Sequence, residues 1–215
     1  MSKPSTIASI MNPGIIAIIR SDGPAGLMEA ALALYEAGIT AVEISLTTPG
    51  TLRAIAEIRP TLVGDRVIGV GTVLDGPTAL RAIEAGAQFT VSPVTSREVI
   101  ESCLCHSIPT VMGAFTPTEA FKAHTWGADF IKIFPAHTLG PDYMKSLLAP
   151  LPQLALVPTG GVTVENCIPY LQAGCAAVAI GSTVVNSQLI AARDFQEITR
   201  RARSYVDAVV RIRPG

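Results

Sequence analysis

The 215-residue chain reads as one (β/α)₈ barrel, an α/β TIM-barrel fold with a short N-terminal helix and a single domain over residues 1–215. Three observations predict it. A small phrase recurs as Ala37-Gly38-Ile39, Ala85-Gly86-Ala87, Trp126-Gly127-Ala128 and Ala173-Gly174-Cys175. Each copy closes an apolar-periodic stretch ahead of a β-rich run, as happens where a glycine takes the left-handed conformation that ends a helix. The alternation that results marks βα units. Finally, apolar residues make up 49% of the chain and charged ones 15%, which is more core material than an average globular chain carries. The longest apolar runs, such as Gly14 to Ile19 and Ala176 to Ile180, are strand-sized and fall short of the ~18 residues a spanning helix needs. The surplus therefore belongs in parallel strands buried on both faces.

Following the punctuation in order, strands are expected at Ile15–Ile19, Ala41–Leu46, Val67–Val70, Phe89–Val91, Thr110–Met112, Phe130–Phe134, Leu154–Val157 and Ala176–Ile180. The helices between and after them fall at Gly26–Ala37, Thr51–Thr61, Pro77–Ala85, Ser96–His106, Thr118–Trp126, Asp142–Leu148, Glu165–Gln172 and Ala191–Val210. Units of about two dozen residues with short connections suit a barrel. A doubly wound open sheet is the alternative, disfavoured because Arg20-Ser21-Asp22-Gly23-Pro24 stands where a glycine-rich dinucleotide turn would follow the first strand. The tail Arg211–Gly215 is expected to fray.

Charge narrows the partners. Sixteen basic and seventeen acidic side chains leave a net charge of −1, with no Lys/Arg cluster dense enough for a nucleic-acid footprint. The opening Met1–Met11 lacks the apolar core and cleavage site of a secretory signal, so the default expectation is cytoplasmic, with no membrane partner. Cys103 and Cys105 sit two apart on one expected helix, where side chains do not share a face. Together with Cys167 and Cys175 they are expected to be reduced thiols. His106, His124 and His137 occur singly without ligand spacing, and Trp126 beside a helix-closing glycine reads as packing. No metal and no cofactor is expected.

In such barrels reactive groups stand at the C-terminal ends of strands. There the first strand ends in Arg20, the second carries Glu43, the third runs into Gly71-Thr72, and the sixth holds Lys132 on the same face as Phe130 and Phe134. A lysine in a covered strand is costly to bury as a cation, so desolvation lowers its pKa and frees an amine that can attack a carbonyl. The other reading is a stem packed in the barrel with its head in water or paired with Glu43. Glu43 is likewise either a satisfied structural carboxylate or a proton-transfer group. Two glycine-bearing turns, Thr159-Gly160-Gly161 and Gly181-Ser182, stand after the seventh and eighth strands, where barrels often bind phosphate because backbone N–H groups can approach an anion. The alternative is that each turn needs glycine for geometry alone.

Val42-Glu43-Ile44, Gly69-Val70-Gly71-Thr72-Val73, Val91-Ser92-Pro93, Thr116-Pro117-Thr118-Glu119, Ile131-Lys132-Ile133-Phe134-Pro135 and Pro158-Thr159-Gly160-Gly161-Val162 resemble, in order and over nearly the whole chain, the KDPG/KHG aldolase family. The resemblance implies a trimeric class I aldolase acting on 2-keto-3-deoxy-6-phospho sugar acids of gluconate or galactonate type, giving pyruvate and glyceraldehyde 3-phosphate. It also implies that Lys132 forms the Schiff base and that Glu43 shuttles protons through a water. Arg20, Thr72, Pro93 and Phe134 would surround the pyruvoyl end, and Thr159, Gly160, Gly161, Gly181 and Ser182 would cradle phosphate. Two departures stand out. Thr47, in Leu46-Thr47-Thr48-Pro49, replaces the arginine that gluconate-specific members use for the substrate carboxylate, and resembles the galactonate-specific members. That shifts the carboxylate toward Arg20, Thr72 and backbone donors. Met112-Gly113-Ala114 replaces a usual Pro-Gly pair and bears on the shape of the fifth loop. A 4-hydroxy-2-oxoglutarate aldolase, which needs no phosphate cradle, and a non-catalytic phosphate-binding barrel are the competing expectations.

Overall fold

The computed structural model of the chain describes residues 1–212; residues 213–215 of the tail expected to fray lie outside the described residues. The chain runs α1 (Lys3–Met11), β1 (Ile15–Ile19), α2 (Leu27–Glu36), β2 (Ala41–Ser45), α3 (Thr51–Ile58), β3 (Val67–Gly71), α4 (Gly76–Glu84), β4 (Phe89–Val91), α5 (Arg97–Cys105), β5 (Thr110–Ala114), α6 (Pro117–Thr125), β6 (Phe130–Ile133), α7 (Gly140–Leu148), β7 (Leu156–Pro158), α8 (Val164–Gln172), β8 (Val178–Ile180), α9 (Ser187–Ala191) and α10 (Phe195–Val210). Short 3₁₀ turns at Arg59–Thr61 and Ala136–Thr138 complete it. The strands form one eight-stranded parallel sheet in the order β7-β6-β5-β4-β3-β2-β1-β8. A parallel bridge between Thr159 and Ala179 joins its two ends. The fold is the expected barrel.

The recurring glycines behave as the pattern requires: Gly38, Gly86, Gly127 and Gly174 have φ of 97°, 99°, 101° and 98°, the left-handed stops that turn each helix back into a strand. Helix starts are capped locally. Asp75 accepts from the Thr78 amide at 2.7 Å, and Thr116 and Glu119 form a reciprocal capping box at α6.

Alternation within the strands divides the core in two. Outward-facing residues pack against the helices. Inward-facing Ile16, Ala41, Val67, Phe89, Val111, Phe130 and Val157 fill the lower half of the barrel, with Ile10 of α1 closing the N-terminal end. Each such large apolar side chain stabilises the fold by about 1.5–3 kcal/mol. Thr40 Oγ1 ties α1 down, sharing its one hydrogen between the Ser9 and Asn12 carbonyls at 2.6 and 2.7 Å. Lys3 adds an ion pair with Asp129 at 2.9 Å. With the N-terminal end plugged, the C-terminal mouth is the open end of the barrel.

Several boundaries differ from expectation. β7 and β8 are shorter and shifted, because the seam between them is irregular: the Ala176 and Ala177 amides both point at the Leu156 carbonyl, at 2.9 and 3.5 Å. The helix expected at Ala191–Val210 starts later, at Phe195, and a separate short helix, α9, comes before it. Arg193 adopts φ 53°, and Asp194 then caps α10 by accepting from the Glu197 amide at 3.0 Å. Local periodicity carried the helical character of this segment but not the left-handed break.

Candidate active site

The mouth opens into a cleft of about 460 Å³. All the residues singled out in the sequence line it: Lys132, Glu43, Arg20, Thr47, Thr72, Pro93, Phe134, Thr159, Gly160, Gly161, Gly181 and Ser182. They come from the ends of seven of the strands or the loops after them.

Lys132 and Glu43 point inward one layer above the apolar plug, and both are buried, 7% and 3% exposed. Backbone positions around them lack side chains where room is needed. Gly113 is the register partner of Lys132, and a Cβ there would run into the backbone of Pro93. A Cβ at Gly71 would sit 2.5 Å from Oε1 of Glu43. The departure from the usual Pro-Gly pair falls on Met112, which packs in the outer core against the helices.

Burial decides the electrostatics. Desolvation lowers the Lys132 pKa from the ordinary lysine range, opposed by the Glu43 carboxylate and reinforced by Arg20. It raises that of Glu43, opposed by Lys132 and Arg20. Among the described residues no direct ion pair joins the two, so the alternative of a lysine neutralised by contact with Glu43 is not what the fold builds. The amine lies 5.3 Å from the centroid of the Phe134 ring, whose face favours a positive charge forming on nitrogen. A weakly protonated amine and a weakly acidic carboxyl sharing one cleft suit carbonyl addition with proton transfer.

At the rim beside Phe134, Gly160 and Gly161 have φ of 90° and 72°. A Cβ on Gly161 would collide with His137, and one on Gly160 would press the Phe134 ring at 3.3 Å. This turn needs glycine for geometry, and it also places bare backbone in the lining of the cleft. Sequence reasoning missed Asp22, Thr183, Asn186 and Ser187, which line the same cleft. The signal was Asn186, whose carboxamide oxygen caps α9 by accepting from the Leu189 amide at 2.9 Å, a helix start ahead of the Ala191 at which the last helix was expected to begin.

Replacing Arg20 with glutamine tests these electrostatics. Arg20 disfavours the protonated form of Lys132; without it the amine holds its proton to higher pH. The rate of imine formation with pyruvate falls as pH drops through the Lys132 pKa, so this acid limb moves to higher pH in Arg20→Gln. A limb that stays fixed in borohydride trapping across pH would contradict the assignment.

Comparison with known proteins agrees with the geometry. A family model described as KDPG and KHG aldolase matches residues 7–201. The chain is 35% identical over 196 residues to the 2-dehydro-3-deoxy-6-phosphogalactonate aldolase of Escherichia coli, covering 91% of this chain and 96% of that one. It is also 35% identical over 180 residues to the 2-dehydro-3-deoxy-phosphogluconate aldolase of Treponema pallidum, covering 83% and 85%. The crystal structure of a KDPG aldolase from Legionella pneumophila, with pyruvate captured as a covalent carbinolamine, superposes with a TM-score of 0.81 at 29% identity, covering 93% of this chain and 97% of that one.

Proposed function

Since the chain belongs to the KDPG and KHG aldolase family, we propose that it cleaves a 2-keto-3-deoxy-6-phospho sugar acid to pyruvate and glyceraldehyde 3-phosphate, with Lys132 as the nucleophile. The observation that carries this reading is a buried amine of lowered pKa facing a buried carboxyl of raised pKa inside one barrel mouth.

The neutral Nζ of Lys132 adds to the C2 ketone, giving a carbinolamine. Burial raises the Glu43 pKa and lowers that of Lys132, which favours the state of the pair with the proton on the carboxyl and the amine neutral; from that state Glu43 supplies the proton with which the hydroxyl leaves as water. The resulting protonated imine draws electrons from the C3–C4 bond. Glu43, now a carboxylate, takes the C4 hydroxyl proton through a bridging water, the C3–C4 pair becomes the enamine double bond, and the aldehyde departs. Returning that proton to C3 and hydrolysing the imine releases pyruvate and restores the amine. Arg20 and Thr72 hold the carboxylate, Pro93 and Phe134 wall the pyruvoyl end, and Thr159, Gly160, Gly161, Gly181 and Ser182 receive the phosphate.

Incubating the protein with pyruvate and borohydride tests the nucleophile: a stable pyruvate-derived mass is expected on Lys132, and an unmodified protein would refute the mechanism and favour a non-catalytic barrel. Turnover of the gluconate and galactonate epimers beside unphosphorylated 4-hydroxy-2-oxoglutarate ranks the substrates. The glycine turns favour the phosphorylated acids. Gly161→Ala places a Cβ against His137 at a left-handed position. It is expected to raise KM for the phosphorylated substrate by about 10- to 100-fold, the worth of hydrogen bonds to a charged group, with pyruvate trapping unchanged.

We assign the assembly as a homotrimer. Leu74, Val94 and Phe115, which follow β3, β4 and β5, are 53%, 48% and 41% exposed. Neighbouring loops thus present an apolar edge of the kind a ring of identical subunits covers. A solution mass of three times 22.5 kDa by light scattering is the expected result.

A further inference from the structure

Ser45 occupies the last position of β2, on the same inward face as Glu43, and is completely buried. It does not line the cleft, yet its hydroxyl joins two residues that do. Ser45 Oγ lies 2.8 Å from Thr47 Oγ1 and 2.8 Å from Thr72 Oγ1. It also accepts from the Thr47 amide at 3.3 Å. The register pairs Ser45 with Gly71, so Thr72 is the next residue beyond its partner and stands at the point where β3 ends. Thr72 takes φ 63°, a left-handed conformation that costs a β-branched residue of order 1–3 kcal/mol and persists only where neighbours hold it.

Proton counting gives this chain a direction. A serine hydroxyl has one hydrogen and two lone pairs. The Thr47 amide uses one lone pair, leaving one hydrogen and one lone pair for two threonine hydroxyls. Ser45 must therefore donate to one threonine and accept from the other. In one arrangement Thr47 donates to Ser45, Ser45 donates to Thr72, and the Thr72 hydrogen is free for the cleft. In the other arrangement the direction reverses and the free hydrogen is on Thr47. The two threonines thus offer a ligand one donor and one acceptor, never two donors.

We propose that Ser45 is a positioning residue that couples carboxylate binding to recognition of a substrate hydroxyl. This rests on the aldolase reading and extends it. A carboxylate only accepts, so it draws the hydrogen of Thr72 and sets the direction Thr47 to Ser45 to Thr72. Thr47 then turns lone pairs to the cleft, where it accepts from a hydroxyl of the sugar-acid chain. An arginine at position 47 would donate in every state. The threonine–serine–threonine relay instead favours a hydroxyl in the place where a fixed cation would hold an anion.

A double-mutant cycle on the full-length protein tests the coupling. Ser45→Ala is expected to raise KM for the phosphorylated hydroxy keto acid by about 3- to 10-fold, the worth of one neutral hydrogen bond, with kcat within about 3-fold. Thr47→Val should raise that KM to a similar extent while leaving the affinity for pyruvate, which has no hydroxyl, unchanged. In the Thr47→Val background Ser45→Ala should raise the KM by less than it does in the wild type, because the part of its effect that runs through Thr47 is already lost. Fully additive effects on KM, or a Ser45→Ala protein with wild-type KM, would overturn the relay. Ser45→Thr, which keeps the hydroxyl, should restore the KM. Should its extra methyl unfold the strand, the alanine cycle decides alone, since alanine keeps the Cβ and adds no volume. Pyruvate trapping on the wild-type protein separates the two claims: a wild type that traps pyruvate and shows an additive cycle refutes the relay, whereas a wild type that does not trap refutes the aldolase reading itself.

Discussion

Lys132→Met is expected to lower kcat/KM by at least about four orders of magnitude, because the covalent route itself is removed and nothing else in the cleft can replace it. Borohydride with pyruvate should leave this variant without an adduct. The barrel should survive. Methionine nearly matches the lysine stem in volume and needs no solvation of a charge, so the cost of burying an ammonium disappears. Glu43 loses the cation that opposes its raised pKa and stays protonated to still higher pH, which spares the interior an unpaired carboxylate. Thermal unfolding near the wild-type midpoint, combined with lost activity, is therefore the signature. A variant that keeps turnover above a thousandth of wild type would place the nucleophile elsewhere.

Glu43→Gln is expected to reduce kcat by about 10²- to 10⁴-fold, the usual worth of a positioned acid–base group. The sign of the electrostatics makes this loss diagnostic. The Glu43 carboxylate is what holds the Lys132 pKa up against desolvation; glutamine removes that support, so the amine is neutral over a wider range of pH. Nucleophile availability rises while turnover falls, which assigns the defect to proton transfer. The acid limb of pyruvate trapping should move to lower pH, opposite to the shift expected for Arg20→Gln. Rapid-quench measurements should find the carbinolamine accumulating, since its dehydration and the C3–C4 cleavage both need the missing carboxyl. A Glu43→Gln enzyme with unchanged kcat and an unmoved trapping limb would show that the carboxyl is structural.

Both results depend on the layer that Lys132 and Glu43 share. Its apolar floor of Phe89 and Phe130 excludes water from below, and its glycines at 71 and 113 clear space that any side chain would fill. The same layering explains why Arg20 can remain exposed at the rim and still influence both groups: through a poorly solvated interior its charge is weakly screened.

The number and order of the strands, the helix stops at Gly38, Gly86, Gly127 and Gly174, and the inward direction of Glu43 and Lys132 are properties of the sequence by itself. They follow from periods of two and 3.6 residues and from the left-handed preference of glycine, which act over a few neighbouring residues. The glycine turns after the seventh and eighth strands were legible for the same reason. Tertiary structure alone decided the left-handed turn at Arg193 that separates α9 from α10, the irregular seam between β7 and β8, the presence of Asn186 and Ser187 in the cleft, and the link from Ser45 to Thr72. That link joins hydroxyls 27 positions apart in the chain, brought together by the stagger of adjacent parallel strands. Contacts of that span depend on how the barrel closes, and closure is a balance summed over all eight strands, which no local pattern of residues can carry.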